Sequence, residues 1–342
     1  MISKEYARIL IFEVNWLGDV LFSVPFIRAM RKRFKNAHIA CAVAPRVKDI
    51  LTNNPYIDEI IIYDEKDAHK GLLGKWRFVS LLRKKQFDLA VLLHRSLSRA
   101  LFTFFAGIGE RSGYRTQKGR RFLTRPIEAP EIEAHKVEYF LKIATTFGCD
   151  TSRKDYEFFI RDEDRKYIGR ELSDAGITKE DFLVVINPGG NWPPKRWREK
   201  NFAELSNKLT KKYNAKIVIS GSDKDKSRAE RIKNNMKEKP VILCGRTDLK
   251  QLGALMERAD FVISNDSGPM HIAVAMKTNV IALFGPTSPS FTGPYGGKNY
   301  RIVRKQTGCE IPCYDTACAD YRCMDAISVG DVLAAFEEMH EN

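Results

Sequence analysis

A short apolar run followed by a longer amphipathic stretch recurs along this chain, and midway the whole series starts again. In the first series "ARILIFEV", "HIACAVA", "IDEIIIY" and "FDLAVLL" read as strands, and "DVLFSVPFIRAMRKRF", "RVKDILTNN" and "KWRFVSLLRKKQ" as the helices among them. Strands that alternate with helices pair in parallel and are covered by those helices. The stretch from Ser96 to Pro130 is less regular and strongly basic; "HKVEYFLKIATTFG" then resumes a helix ending at Gly148, a residue suited to a C-cap. The second series runs "FLVVINPG", "REKNFAELSNKLTKKY", "AKIVISGS", "DKSRAERIKNNM", "PVILCG", "LKQLGALMERA", "DFVISN", "GPMHIAVAM" and "NVIALFG".

Two such series in 342 residues imply two domains. The fold class expected is α/β, with two Rossmann-like domains facing across a cleft. The charged segment from Arg161 to Arg170 is the expected linker, dividing residues 1–165 from residues 166–325. Within 326–342, "SVGDVLAAFEEMH" reads as a terminal helix of the kind that packs back on the first domain. Ligands of doubly wound sheets sit outside the carboxyl ends of the strands. In the second series the loops at those ends are "NPGGNWPPKRW", "GSDKD", "NDSGPMH" and "GPTSP". Glycine lets a backbone approach a ligand, and a helix N-terminus offers unpaired N–H groups and the positive end of its dipole, so these loops suit a phosphate.

Several classes are excluded. The first strand leads into "NWLGDV", with one glycine, and not into G-x-G-x-x-G; nor is there a G-x-x-x-x-G-K-[ST]. A dinucleotide oxidoreductase and a P-loop ATPase are therefore not indicated, and H-x-x-x-H and G-x-S-x-G are absent as well. No apolar run reaches the roughly 18 residues of a membrane span. "MISKEYARILIFEV" lacks a secretory h-region, which points to a cytoplasmic protein. Seven cysteines do not form a secreted disulfide framework. Cys309, Cys313, Cys318 and Cys323 are spaced C-x3-C-x4-C-x4-C, unlike paired zinc knuckles, so reduced thiols or a disulfide are favoured over metal.

The net charge of +14 is uneven: residues 1–150 carry 26 Lys and Arg against 16 Asp and Glu, and the rest 31 against 27. A basic first half favours nucleic acid, anionic lipid or a phosphorylated or carboxylated substrate, with plain solubility as the competing explanation. Nucleic acid is the poorer choice, because no recognisable nucleic-acid module is present.

Four segments, "WLGDVLFSVPFIRAM", "NPGGNWPPKRW", "SNDSGPMHIAVA" and "ALFGPTSP", taken in order, resemble glycosyltransferase family 9, which contains the ADP-heptose:lipopolysaccharide heptosyltransferases. The resemblance covers nearly the whole chain. It implies the GT-B glycosyltransferase architecture, with an acceptor domain first and a nucleotide-sugar domain second. It further implies inverting transfer of heptose from ADP-heptose to a Kdo- or heptose-bearing, lipid-linked, anionic acceptor of the lipopolysaccharide inner core. No cofactor beyond the donor substrate and no protein-bound metal are implied. The place of work would be the cytoplasm, at the inner face of the inner membrane, in peripheral contact with an anionic surface. A relative using another nucleotide sugar would carry the same loops. So would a nucleotide-binding protein without catalysis, although Asp19 and Lys195 argue against that.

The resemblance also implies residue roles. Asp19 matches the family's proposed general base, which takes the acceptor hydroxyl proton; its plain alternative is a helix N-cap. Lys195 falls on the donor phosphates, where a cation offsets the charge growing on the leaving diphosphate, and Arg196 either assists or lies at the surface. Gly190 and Asn191 replace the small or hydroxyl residues of the family. Asp266 touches donor sugar or phosphate, a sugar hydroxyl being the more sensible partner for an acid, with an N-cap as alternative. Ser267, Gly268 and His271 complete a phosphate cradle, His271 being otherwise an ordinary helix histidine. Asp225 is placed at the ribose, with Asp223 a near equal, and Ser222 in the donor site; Thr247 and Leu249 border adenine; Thr287 lines the donor pocket or shapes a turn. Arg95 and Ser96, with Arg115, Arg120 and Arg121 of the acid-free "RSGYRTQKGRRFLTR", form an acceptor clamp, since guanidinium groups bind carboxylates and phosphates in bidentate fashion. The alternative is a solvated loop.

Overall fold

Residues 4–130, 134–313 and 315–341 are described by the computed structural model, which divides into two units, Met1–Phe159 and Ile160–Asn342. In the first, β1 (Arg8–Phe12), β2 (His38–Val43), β3 (Glu59–Ile62), β4 (Leu89–Leu92), β5 (Glu110–Tyr114) and β6 (Arg125–Ile127) form one sheet in the order β3-β2-β1-β4-β5-β6. Every pairing is parallel. The helices are α1 (Leu17–Arg33), α2 (Lys48–Leu51), α3 (Gly71–Lys84), α4 (Leu97–Phe105) and α5 (Lys136–Thr145).

The second unit repeats the plan. Its strands β7 (Leu183–Asn187), β8 (Lys216–Ile219), β9 (Val241–Ile242), β10 (Phe261–Asn265), β11 (Asn279–Leu283) and β12 (Tyr300–Val303) lie in the order β12-β11-β10-β7-β8-β9. All are again parallel. Its helices are α6 (Asp162–Asp174), α7 (Glu199–Tyr213), α8 (Lys226–Asn234), α9 (Leu249–Arg258), α10 (Gly268–Ala275), α11 (Pro289–Thr292), α12 (Arg322–Asp325) and α13 (Val329–His340). Numbered from its own first strand, each sheet has the doubly wound order 3-2-1-4-5-6, whose ligand crevice opens between strands 1 and 4.

Central strands have neighbours on both edges and helices on both faces, so they read as unbroken apolar runs. Accordingly Ile9 to Phe12 and Leu183 to Ile186 are almost wholly buried. Helix α1 is buried continuously from Val20 to Met30 and packs on α5. The one charge in that run, Arg28, donates to Glu157 Oε2 at 2.6 Å and to the carbonyl oxygens of Arg153 and Asp155 at 2.8 and 2.9 Å. Paired in this way, the guanidinium is tolerated inside and fastens the extended 150–159 segment to α1.

Several expectations are corrected. The basic stretch from Ser96 to Pro130 is regular: it supplies α4, β5 and β6. Strand β5, "ERSGY", lacks an apolar run because its inward positions are small; a Cβ on Gly113 would come within 2.9 Å of the Leu92 carbonyl oxygen. The supposed linker is helix α6, opened by a capping box between Arg161 and Asp164, and the units divide just before it, after Phe159. Strand β12 went unrecognised, while "PVILCG" forms only the two-residue β9 and "RVKDILTNN" only the four-residue α2 with a preceding 3-10 turn. The terminal helix α13 packs on β11, β12 and α7 of the second unit. There Phe336, fully buried, meets Phe261 at 4.4 Å and Tyr213 at 5.1 Å between ring centroids.

Phe336→Ala should therefore destabilise the second unit by about 3–5 kcal/mol, the usual cost of removing a buried aromatic ring. Urea denaturation followed by far-UV circular dichroism checks this; an unchanged transition would show that α13 contributes nothing to that core.

Candidate functional site

Candidate functional side chains gather along the carboxyl edges of both sheets, and each edge has its own chemistry. In the second unit three loops converge on Asp266. This residue follows β10, the fourth strand of its sheet, and is 6% exposed. Lys195, in the loop after β7, donates to Asp266 Oδ2 at 2.6 Å; Thr287, in the loop after β11, donates to the same oxygen at 2.6 Å. The Lys195 ammonium also lies 4.7 Å from the centre of the Trp192 ring. One carboxylate oxygen thus orients a largely buried cation whose remaining N–H groups are available to an anion. Asp266 is not the N-cap of the next helix: that position belongs to Ser267, with α10 beginning at Gly268. Ser267 Oγ lies 3.2 Å from Ser264 Oγ, and His271 is buried one turn into the helix.

The loop that carries Lys195 is braced from below. Asn265, at the end of β10, donates to the carbonyl oxygens of Pro188 and Gly189 at 2.9 and 3.1 Å and accepts from the Trp197 amide at 3.1 Å. Trp197, 1% exposed, donates through Nε1 to Ile327 O at 2.8 Å. Arg196 donates to the Gly190 carbonyl at 2.8 Å, which gives it a part in shaping the loop, while Asn191 is exposed. Asn265 was passed over in the sequence, where it reads as the last residue of a strand.

Further along the edge, Ser222 and Asp225 form a capping box: Asp225 Oδ2 accepts from the Ser222 amide at 3.0 Å and hydroxyl at 2.7 Å. The β7 loop lies close against this carboxylate at Gly189, where a Cβ would sit 3.2 Å from both Asp225 oxygens. Asp223 is largely exposed and pairs with Lys226. Thr247 and Leu249, half-buried, stand at the start of α9 after β9. In space the predicted donor residues therefore follow the strand order β11, β10, β7, β8, β9. At about 4.8 Å per strand, the stretch from β10 to β9 is about 14 Å wide, comparable with an extended nucleoside diphosphate.

In the first unit the carboxyl end of β1 carries a buried acid that the sequence reading missed. Glu13 is 1% exposed and accepts from Ser23 Oγ at 2.9 Å and from the Val14 amide at 3.2 Å. Burial pushes its carboxyl up to about 8; Ser23, Val14 and Arg99 oppose this and nearby Asp19 adds to it. Asp19 occupies the third position of α1, whose N-cap is Trp16, and burial raises its carboxyl above the ordinary range against the pull of Lys136. After β4, burial and then the cations Arg99 and Lys136 push His94 down to about 4, so it is neutral at physiological pH. Arg99, 4% exposed, donates to Asn15 Oδ1 at 2.8 Å. His94 Nδ1 and Arg99 Nε are buried without a partner among the described residues. The signal for Glu13 was present as an acid ending an apolar strand; that for His94 and Arg99 was masked by their basic neighbours.

The expected acceptor clamp divides. Arg95 is exposed and hydrogen-bonds Tyr139, and Ser96 is the N-cap of α4. Arg115 pairs with Glu128 at 2.6 Å, while Arg120 and Arg121 are exposed in a 3-10 turn. Two other arginines of the segment are structural. Arg111 donates to Phe122 O at 2.6 Å and to Ile108 O, and Arg125 donates to Thr146 O. All seven cysteines are free thiols, and among the described residues no group of three or more His, Cys, Asp or Glu side chains could hold a metal ion.

Glu13 yields a prediction with a definite sign. Its folded-state carboxyl lies far above its unfolded value, so the folded protein holds the extra proton, and stability falls as pH rises from about 4.5 to about 8. Glu13→Gln should remove most of this slope, worth roughly 3–5 kcal/mol. Stability measured by denaturant titration across that window checks it; an unchanged slope would mean that Glu13 is ionised throughout.

Comparison with known proteins places this geometry. Residues 75–321 match the family described as glycosyltransferase family 9 (heptosyltransferase). The chain is 28% identical over 348 residues to lipopolysaccharide heptosyltransferase 2 of Salmonella typhimurium, covering 97% of each chain. It is likewise 28% identical over 315 residues to lipopolysaccharide heptosyltransferase 2 of Escherichia coli, covering 88% of this chain and 89% of that one. Its structure resembles that of a glycosyl transferase family 9 protein from Veillonella parvula, with a TM-score of 0.92, 26% identity and coverage of 100% and 99%. The fold is also that of E. coli ADP-heptose lps heptosyltransferase II, with a TM-score of 0.78, 24% identity and coverage of 97% and 98%. With the family match spanning most of the chain and two doubly wound parallel sheets beneath it, this protein belongs to glycosyltransferase family 9 and is a glycosyltransferase of the GT-B architecture.

Proposed function

We propose that this glycosyltransferase transfers heptose from ADP-heptose, with inversion, to a sugar of the lipopolysaccharide inner core, at the cytoplasmic face of the inner membrane. The observation that carries the reading is the Lys195–Asp266–Thr287 constellation beside the start of α10. It puts a fixed cation and unpaired helix N–H groups together at the crevice of the second sheet, as a diphosphate requires. The names of the relatives supply the sugar and the acceptor class.

In this reading Asp19 takes the proton of the acceptor hydroxyl as its oxygen attacks the anomeric carbon. The bond from that carbon to the diphosphate oxygen breaks, and ADP leaves with the electron pair. The raised carboxyl of Asp19 makes it a better base than an exposed aspartate. Lys195 and the amides of Ser267 and Gly268 receive the charge on the diphosphate, so the leaving group is stabilised without a protein-bound metal. Asp266 holds Lys195 in place through Oδ2, and a sugar hydroxyl would meet its Oδ1. Ser222, Asp225, Thr247 and Leu249 flank the nucleoside. Arg95, Arg115, Arg120 and Arg121 attract the carboxylates and phosphates of the acceptor. Trp16, 60% exposed with the Arg46 guanidinium 4.6 Å from its ring centre, offers a flat surface at the start of α1, beside Asp19.

A thermal-shift screen of nucleotide sugars tests the donor: ADP-heptose should stabilise the protein most, and a preference for a uridine or guanosine donor would overturn the assignment. Asp19→Asn should lower kcat about 10²–10⁴-fold with little change in donor affinity; near-normal turnover would return Asp19 to a structural role. Lys195→Ala should weaken ADP and ADP-sugar binding by about 1.5–3 kcal/mol, the worth of a charge-assisted hydrogen bond. Adenosine binding should hardly change, and an equal loss for adenosine, measured by calorimetry, would show that the loop reads the nucleoside.

A further inference from the structure

The first unit exposes large apolar side chains that its own core does not need. On α3, Leu72 is 86%, Leu73 78% and Trp76 56% exposed, while Gly74, Phe78, Val79 and Leu82 of the same helix are buried. The helix therefore presents large apolar side chains to solvent, among its cations, as well as to the sheet. On α4, Phe104 and Phe105 are 44% and 47% exposed. These groups are joined into one surface. Arg83 donates to the Phe105 carbonyl at 2.6 Å and lies 5.8 Å from the Trp76 ring centre. The Phe104 ring is 5.4 Å from that of Phe105 and 5.4 Å from that of Phe122, which ends the 3-10 turn Arg120–Phe122. Single exposed apolar residues are ordinary, but a contiguous patch marks an interaction surface.

The two segments that carry the patch hold charge of one sign along the chain. Between Asp67 and Asp88 the chain carries six Lys and Arg and no acid; between Glu110 and Glu128 it carries six more and again no acid. Lys75, Arg77 and Lys84 stand exposed on α3, and Arg120 and Arg121 stand at the far end of the surface. Leucine tips and aromatic rings surrounded by cations with long aliphatic stems are the composition of a surface that lies in a lipid interface. A second copy of the chain would bring the same cations face to face in a two-fold contact. A polyanion without acyl chains would leave Leu72 and Leu73 without a partner.

We propose that α3, the end of α4 and the Arg120–Phe122 turn form a docking face for an anionic phospholipid bilayer. The apolar tips enter the acyl boundary and the cations bind the headgroups. The proposal rests on the reading above only in that a lipid-linked acceptor explains why the enzyme needs such a face. Lipid binding is read without substrate, so it succeeds or fails independently of glycosyl transfer.

Vesicle flotation of the full chain tests it, with phosphatidylcholine vesicles made with and without phosphatidylglycerol. The wild type should float with the anionic vesicles, remain in solution with the neutral ones, and be released by added salt. The variant Leu72→Ser, Leu73→Ser, Trp76→Ser should bind at least about tenfold more weakly. The variant Lys75→Ser, Arg77→Ser, Lys84→Ser should lose about fivefold for each cation that reaches the surface. Both should keep the wild-type melting temperature, because the replaced side chains are exposed. Equal flotation of wild type and the apolar variant would overturn the proposal, as would a wild type indifferent to phosphatidylglycerol. A wild type that sediments as a dimer, with a monomeric apolar variant and no vesicle binding by either, would assign the patch to self-association and overturn it too.

Discussion

In a parallel sheet each connection must cross back over a face, and the crossover is right-handed. A chain that winds outward first to one side of its opening strand and then to the other therefore sends successive crossovers to opposite faces. Between the opening strand and the fourth, no connection covers the carboxyl end. This happens twice here, at β1 and β4 and again at β7 and β10. Asp19 and His94 follow the first pair, and Lys195 and Asp266 follow the second. The crevice is a consequence of topology, and the loops that border it are free to carry charge because no helix has to pack there.

The two crevices handle charge by different means. In the second unit the cation and the acid are paired directly, Lys195 to Asp266 at 2.6 Å, and Asn265 supports the loop from the core. Direct pairing fixes an ammonium in place and suits the binding of an anion whose charge grows during reaction. In the first unit burial dominates. Glu13 and Asp19 are raised and His94 is lowered by desolvation, so groups that would be charged in water are pushed towards neutrality. That environment suits proton transfer from a hydroxyl. The two edges therefore differ in kind: one presents a fixed cation, the other desolvated acids and a neutral imidazole.

The basic excess of the first half separates into three uses once side chains are placed. Arg28, Arg111 and Arg125 satisfy carbonyl oxygens and hold segments together. Arg99 stands at the crevice beside Asn15. Lys75, Arg77, Lys84, Arg120 and Arg121 remain exposed. Net charge alone could not distinguish these, because a buried guanidinium and a solvated one count equally in a sequence.

The α/β class, the two domains and the strand-end segments bearing Asp19, Lys195 and Asp266 were legible because hydrophobic periodicity and glycine placement are local properties of the chain. Those segments lie where strands end, and strand ends can be seen in an apolar run. The boundary after Phe159, the strands β5, β6 and β12, and the docking of α13 were not legible. β5 is a strand because β4 offers it a hydrogen-bonded edge, and its small residues reflect close packing rather than a sequence preference for extension. Likewise Asn265 and Glu13 acquire their roles from partners that the fold brings up: Pro188 and Gly189 for one, Ser23 of the next helix and the distant Arg99 for the other. Sequence by itself determined which segments are strands and helices wherever their own patterning sufficed, and so placed the functional loops at the strand ends. Only the tertiary structure decided which polar groups are buried and paired, because desolvation and hydrogen bonding depend on neighbours that the fold, not the chain, brings together.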